Sequence, residues 1–389
     1  MPTPKPTPTA PAARLRPHPP PHPPRLLLLL IGLAALAPGL AVAGQPSPDA
    51  EGAPVTSVLV TSNPPLPFLP ADPPRGRIYR LPPDLSSAAV AFSTEGGPVG
   101  LESITADPAG NAFVTFFDGP DDSYPGGVMR LESLALGRDG ERFELGRDRV
   151  MTGAAVGLVE PKGLSVIAEL ELVLIADNSN ARPSLTAMPL GATSHQGGDA
   201  APLFSVTDFG GADGQPWWFD YDPAAGRLFV AMTGGSLLVY DDFPVLRGAS
   251  GPDRVVVLTA ADGSGESVAA NLHGVVYVPE GDAVILSDVG PTTTADQPGF
   301  DRNGALFVLG NASVAAGPTP VRLHVHGPAS TLGNPVYIAF DGLNLYVAEK
   351  TKDTVLRFDD ILEHMGEIDL APSAAVTVPA PESVFLVRD

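Results

Sequence analysis

The sequence contains no cysteine. That excludes disulfide staples, thiolate zinc sites, iron–sulfur clusters and a cysteine nucleophile. Charged residues are scarce, at 17%, and unbalanced: 23 Lys and Arg stand against 44 Asp and Glu, a formal net charge of −21. Such an acidic chain does not suit a nucleic-acid polyanion as partner. Aromatic residues make up only 6%. There is no Walker loop, no G-x-S-x-G elbow, no H-E-x-x-H motif and no kinase motif. Glycine (42) and proline (45) are abundant among the 389 residues, and 44% are hydrophobic. That apolar share supports a real core and argues against wholesale disorder. The length allows one large domain or two ordinary ones.

Residues 1–24 hold eleven prolines, and no acidic residue precedes Asp49. Lys5, Arg14, Arg16 and Arg25 lead into an apolar run of 18 residues, 26–43, which ends in Ala41-Val42-Ala43. A basic start, an apolar stretch and a small-x-small end form the pattern of a cleaved export signal. The rival is a retained membrane anchor, since about 20 apolar residues span a bilayer. Pro38, Gly39 and the A-x-A end favour cleavage, which places the mature protein in the periplasm or outside the cell. Four basic residues and no acidic ones would leave with residues 1–43, taking the net charge to −25. Residues 44–54 read as a flexible linker, and 55–389 as a single domain, expected to be a monomer.

A short apolar strand recurs along that domain. It is centred on Val60, Val114, Ile175, Val230, Leu286 and Val347, at steps of 54, 61, 55, 56 and 61 residues. A second apolar strand follows each copy, as in Arg77–Leu81, Leu237–Tyr240 and Val355–Phe358. Five copies are preceded by a further strand, beginning near Leu101, Gly163, Trp217, Gly274 and Val336. Asp107-Pro108, Asp222-Pro223 and Asp341-Gly342 supply turns that join antiparallel neighbours. A unit of about 55 residues with three or four strands and no helical period is a propeller blade. The first unit lacks its inner strand, while Glu382–Arg388 is a strand with nothing after it. The expectation is an all-β, six-bladed β-propeller closed when the C-terminal strand joins the N-terminal blade.

Pro335–Gly342, Leu345–Glu349 and Asp353–Phe358 together resemble one NHL-type repeat, whose usual form is P-x-G-I-A-V-D, L-Y-V-A-D and N-x-R-I. Glu160–Leu164 with Leu174–Ser179 is a second, looser match. The resemblance implies the same propeller architecture over about residues 98–389. It says little about activity, because function resides in the site and not in the fold.

In a blade the inner strand starts at the face where the second strand ends. Inner-strand entries at Glu102, Lys162, Gln215 with Trp217, His273, Asn334 and Glu382 should therefore meet second-strand exits at Asn63, Asp118, Asp177 with Asn178, Thr233, Asp288 and Glu349 around one channel mouth. The long loops 63–75, 117–126 and 289–303 would overhang the same face. Glu102, Asp177, Asn178, Asp288, Glu349 and Glu382 offer oxygen ligands of the kind calcium or another divalent cation takes. The plainer alternative is a solvated acidic rim around a water-filled channel, with Lys162 as counter-charge. Lys162, Trp217, His273 and Asn334 are the candidate ligand-binding groups, with Trp217 able to stack on a planar ligand. Asp118–Ser123 has the composition of a calcium loop without EF-hand spacing. His324-Val325-His326 puts two imidazoles on one strand face; lacking a third ligand in the sequence, they read as a surface pair.

The positions also resemble, without an extended motif match, the gluconolactonase and senescence-marker-protein family of six-bladed propellers. That resemblance implies one divalent metal held by Glu102, Asn178 and Asp288, which would polarise a lactone carbonyl while Asp288 activates water. The leading expectation is a non-enzymatic binding or scaffold module whose top face takes a protein, peptide or glycan. The metal-dependent, lactonase-like hydrolase is the alternative.

Overall fold

The computed structural model describes residues 54–63, 76–94, 97–98, 100–117, 126–132, 139–144, 146–194, 200–246, 251–291 and 303–388. The leader and most of the linker, Asp118 with its loop, and most of the three long mouth loops lie outside them.

The described chain forms six sheets in a ring, each with four antiparallel strands. The inner strands of blades 2 to 6 are Leu101–Ala106, Pro161–Ile167, Pro216–Asp222, Leu272–Val278 and Pro335–Phe340. Each turns back into its second strand: Ala112–Phe116, Leu172–Asp177, Arg227–Met232, Ala283–Asp288 and Asn344–Glu349. Three of the turns are the aspartate turns of the sequence. Asp107 accepts the N–H of Ala109 and Asn111, Asp222 those of Ala224 and Ala225, and Asp341 those of Leu343 and Asn344. The aspartate side chain takes over the role of a backbone acceptor, so the reversal needs few residues.

Blade 1 is completed from the far end of the chain. Its second strand, Val55–Ser62, pairs with the C-terminal strand Pro381–Arg388, Leu59 lying opposite Phe385. Ring closure therefore consists of backbone hydrogen bonds between the two ends of the domain, and the inner edge of Val55–Ser62 is covered.

The reason for a ring lies in the alternation of side chains. In the second strand of blade 4, Leu228, Val230 and Met232 pack against blade 3, whereas Phe229 and Ala231 pack towards blade 5. All five are buried. Successive side chains of a strand point to opposite faces, so this sheet is apolar on both and needs a neighbour on each side. The same holds between blades 1 and 2, where Leu59, Ile78 and Phe92 meet Ile104, Phe116 and Met129. Blades 5 and 6 join through Ile285, Val308, Ile338 and Phe358.

Blades 1, 4 and 5 carry a fifth, parallel strand lent by the next blade. Glu141–Arg142 lies on the edge of blade 1, Gly317–Pro320 on that of blade 4 and Gly366–Ile368 on that of blade 5. Each comes from the connection between the third and outer strands of its own blade. The detour covers an edge that would otherwise present unpaired backbone groups. Among the described residues no helix is long and apolar enough to cross a membrane.

Closure by the last strand has a measurable consequence. Truncation before Pro381 removes the inner strand of blade 1 and bares the apolar faces around Leu59 and Val60. The truncated chain should lose its cooperative thermal transition, seen by near-ultraviolet circular dichroism, whereas a chain that melts like the intact one would contradict closure.

Candidate functional site

Every inner strand enters the ring through the same irregularity. In each blade one extra inner-strand residue is inserted opposite the second strand, between Leu101 and Ile104, Pro161 and Leu164, Pro216 and Trp218, Leu272 and Val275, Pro335 and Tyr337, and Pro381 and Ser383. Such a bulge re-aims the side chain it carries. The second residues of the six strands are Glu102, Lys162, Trp217, His273, Val336 and Glu382, and in that order they go round the mouth. Hydroxyls on the second strands take up bulge N–H groups: Thr115 Oγ1 accepts that of Ser103 at 2.9 Å, and Ser287 Oγ that of Gly274 at 2.9 Å.

Most of these side chains are buried around the mouth. Glu102, Lys162, His273 and Glu382 are only 4–7% exposed, and Val336 is buried with them. Lys162 Nζ lies 2.9 Å from Glu102 Oε1 and 3.3 Å from Glu160. It also sits over two rings, 4.7 Å from the centre of Phe117 and 5.1 Å from that of Trp217. Burial works against its charge, but Glu102, Glu160 and Glu382 outweigh burial and hold the ammonium above its ordinary pKa. Lys350 Nζ, on a side chain 38% exposed, reaches Glu382 Oε1 at 2.5 Å. Burial and the nearby Glu102 raise the pKa of Glu382, and Lys350 and Lys162 oppose them. His273 stacks on Trp217 with ring centres 3.6 Å apart. Burial, then the two lysines, push its pKa well below the ordinary value, so the imidazole is neutral.

The second-strand acids have a different place. Asp177 accepts backbone N–H groups from Val159, Glu160 and Ser179. Asp288 accepts those of Ala270, Asn271 and Gly290. Glu349 accepts those of Gly333 and Asn334. The three stand at equivalent blade positions and tie down the loop that leads into their own inner strand. Burial pushes all three pKa values up, against the pull of these donors, Glu349 to about 7. Asn178 donates its amide to the Pro216 carbonyl at 3.4 Å.

The structure thus gathers Glu102, Lys162, Trp217, His273 and Glu382 into one packed layer, and directs Asp177, Asp288 and Glu349 to backbone. Of the alternatives weighed from the sequence, the solvated acidic rim and the bound cation, neither describes these residues, which form a largely buried layer holding two lysines. The metal set Glu102, Asn178 and Asp288 does not fit as it stands. An ammonium occupies the place beside Glu102, and the other two groups are engaged by backbone. The aromatic face of Trp217 is taken up by His273 and Lys162. Lys350 escaped the sequence reading although it directly follows Glu349; the signal was a lysine at a second-strand exit. Polar atoms without a hydrogen-bond partner gather at the entries to blades 5 and 6: Asn271 Oδ1, His273 Nδ1 and Asn334 Oδ1. Away from the mouth, the pair His324 and His326 does gain a third potential ligand, Glu367, which the sequence reading lacked.

No protein-family model matches the chain, and no curated protein matches it by sequence. Solved structures do match. A chain from the crystal structure of a nidogen/laminin complex superposes with a TM-score of 0.54 at 13% identity, covering 85% of this chain and 98% of that one. A putative 6-phosphogluconolactonase from Bacteroides fragilis gives 0.51 at 10% identity, covering 88% and 100%. The periplasmic gluconolactonase of Pseudomonas aeruginosa gives 0.48 at 15% identity, covering 86% and 99%. The chain is a six-bladed β-propeller, and chains from a nidogen/laminin complex and a putative 6-phosphogluconolactonase share its fold. At these identities the likeness establishes the fold and nothing finer.

Two outcomes test the mouth. Lys162→Met leaves Glu102 buried beside no cation and should cost about 3–5 kcal/mol, much of it recovered in the double variant Lys162→Met/Glu102→Leu; a loss under about 1 kcal/mol in urea unfolding would show that the pair is not desolvated. The second is a pH effect. Asp220, on the inner strand of blade 4, is pushed up to about 7 by burial, against the N–H groups of Tyr277 and Tyr221. Together with Glu349 and Glu382 it makes the folded state bind more protons than the unfolded chain, from the ordinary carboxyl values up to about 7. The contribution of these groups to stability therefore falls as pH rises through that window. Glu382→Gln should reduce the drop in melting temperature between about pH 5 and about pH 7.5, and an unchanged drop would contradict the assignment.

Proposed function

We propose that this propeller is a binding module acting outside the cytoplasm, which engages a protein or peptide through the mouth face, and that it is not a hydrolase. The reading rests on one observation above the others: the carboxylates of the mouth already have partners within the protein. Lys162 and Lys350 neutralise Glu102 and Glu382, and backbone N–H groups occupy Asp177, Asp288 and Glu349. A metal-dependent lactonase needs carboxylates free for a cation and one free to activate water. Here those carboxylates already have partners.

What the face offers a partner is polar and local. At blade 6 lies the half-exposed Lys350. A charged group presented on a rigid ring suits recognition, since little ordering is needed on binding. The apolar stretch 26–43 with its Ala41-Val42-Ala43 end supports export, and the absence of cysteine is compatible with an oxidising compartment.

The full chain, immobilised, should retain a specific partner from the secreted or envelope fraction of its own cells, and Lys350→Glu should release it. It should hydrolyse no aldonolactone with or without calcium, magnesium or zinc. Cation-dependent lactone hydrolysis abolished by Glu102→Gln or Asp288→Asn would overturn the proposal.

A further inference from the structure

We propose that His324, His326 and Glu367 form a binding site for a first-row divalent transition metal of the zinc class, at the outer rim of blade 5, with one coordination position open to an adjoining cavity. Its three ligands lie on the outer strands, although the adjoining cavity reaches Asp288 at the end of the second strand.

Strand register creates the cluster. His324 lies in the outer strand Leu323–Val325 and His326 directly follows it. Residues two apart on a strand share a face, so both imidazoles point the same way. The lent strand Gly366–Ile368 runs parallel to this one, with Glu367 directly opposite His324. Direct partners on neighbouring strands also share a face. The His326 N–H donates to Ile368 O at 3.1 Å and extends the pairing past the strand end. Two strands from different blades thus deliver two imidazoles and a carboxylate to one spot.

The donor atoms of the three residues all lie within 4.8 Å of one another. His326 Nε2 and Glu367 Oε1 are already 2.8 Å apart. The imidazoles stack at 4.2 Å, and the Phe307 ring lies 4.6 Å from that of His324. Tetrahedral zinc, with bonds of about 2.0–2.2 Å, needs its ligand atoms roughly 3.3–3.5 Å apart. Rotating the imidazoles out of their stack would aim their ring nitrogens at a common point beside Glu367, with the metal entering between His326 and Glu367. Two nitrogens and one oxygen suit zinc, cobalt, nickel or copper. They do not suit calcium, which takes six to eight oxygens.

Three protein ligands leave a position unfilled. His324 and His326 also line a cavity of about 250 Å³, whose walls include Asp288, Asn303 and Ala305. That volume accommodates water or a small anion next to the metal. A three-ligand site facing a cavity is the exchangeable kind, in contrast to closed four-ligand structural sites. Because Glu367 comes from blade 6, a bound ion would also pin the lent strand to blade 5.

The test uses the full chain, stripped with a chelator and titrated with zinc chloride and, separately, cobalt chloride. One equivalent of zinc should bind, and cobalt should give a visible ligand-field spectrum that azide alters through the open position. His326→Ala, at a side chain 42% exposed, should fold normally by circular dichroism and weaken zinc binding at least roughly tenfold. His324→Ala and Glu367→Gln should weaken it likewise. No zinc binding, or binding that survives the double variant His324→Ala/His326→Ala, overturns the site. A cobalt spectrum unmoved by azide overturns the open position.

Discussion

The structure depends on one constraint: a blade is apolar on both faces and cannot be stable alone. In blade 4 a single strand sends Leu228, Val230 and Met232 one way and Phe229 and Ala231 the other. Hydrophobic burial then demands a neighbour on each side. With six units the demand is met only by closure, so the last strand of the chain must serve the first blade. The pairing of Leu59 with Phe385 completes that circuit. Inter-blade packing and the position of the mouth both follow from it.

Closure brings like charges together, and the mouth shows how they are accommodated. Glu102 and Glu382 flank the ring junction and repel one another, which is part of why the Glu382 pKa is raised. Burial makes that repulsion costly, because low local polarity strengthens every unpaired charge. Lys162 and Lys350 are placed where a bound cation would otherwise be required. Lys162 is the stronger case, being sealed between two carboxylates and two aromatic rings. At Asp177, Asp288 and Glu349 the loop backbone meets the same need, so these acids act as loop fasteners.

Much of the fold could be read in the sequence because the repeats rest on strand chemistry. The apolar cores around Val60, Val114 and Val347, the turns at Asp107, Asp222 and Asp341, and the orphan strand at Glu382–Arg388 carry the architecture on their own. The site was read less well, and the bulge is the reason. It adds one residue to each inner strand, so Glu102 and Trp217 turn to the mouth while the second-strand acids meet backbone. Sequence spacing locates both sets at the same end of the blades but does not reveal which way a side chain points. Glu367 escaped for a different reason. It is 41 residues from His326, and only a detour in the chain of blade 6 makes them neighbours.

That detour shows how irregular connections add chemistry to a regular ring. The strands of a blade have fixed partners, so their side chains are largely committed to packing. The connection between third and outer strands is free to wander, and in blades 2, 5 and 6 it crosses to the preceding blade. Parallel pairing there fixes a register, with Glu367 opposite His324, and so holds side chains of two blades at defined spacing. On blades 1 and 4 the lent strand is Glu141–Arg142 or the proline-containing Gly317–Pro320, neither of which sets imidazoles beside a carboxylate. On blade 5 the lent strand carries Glu367 beside His324 and His326. Covering a strand edge is the general reason for the device, and the cluster on blade 5 is an opportunity that the same geometry creates.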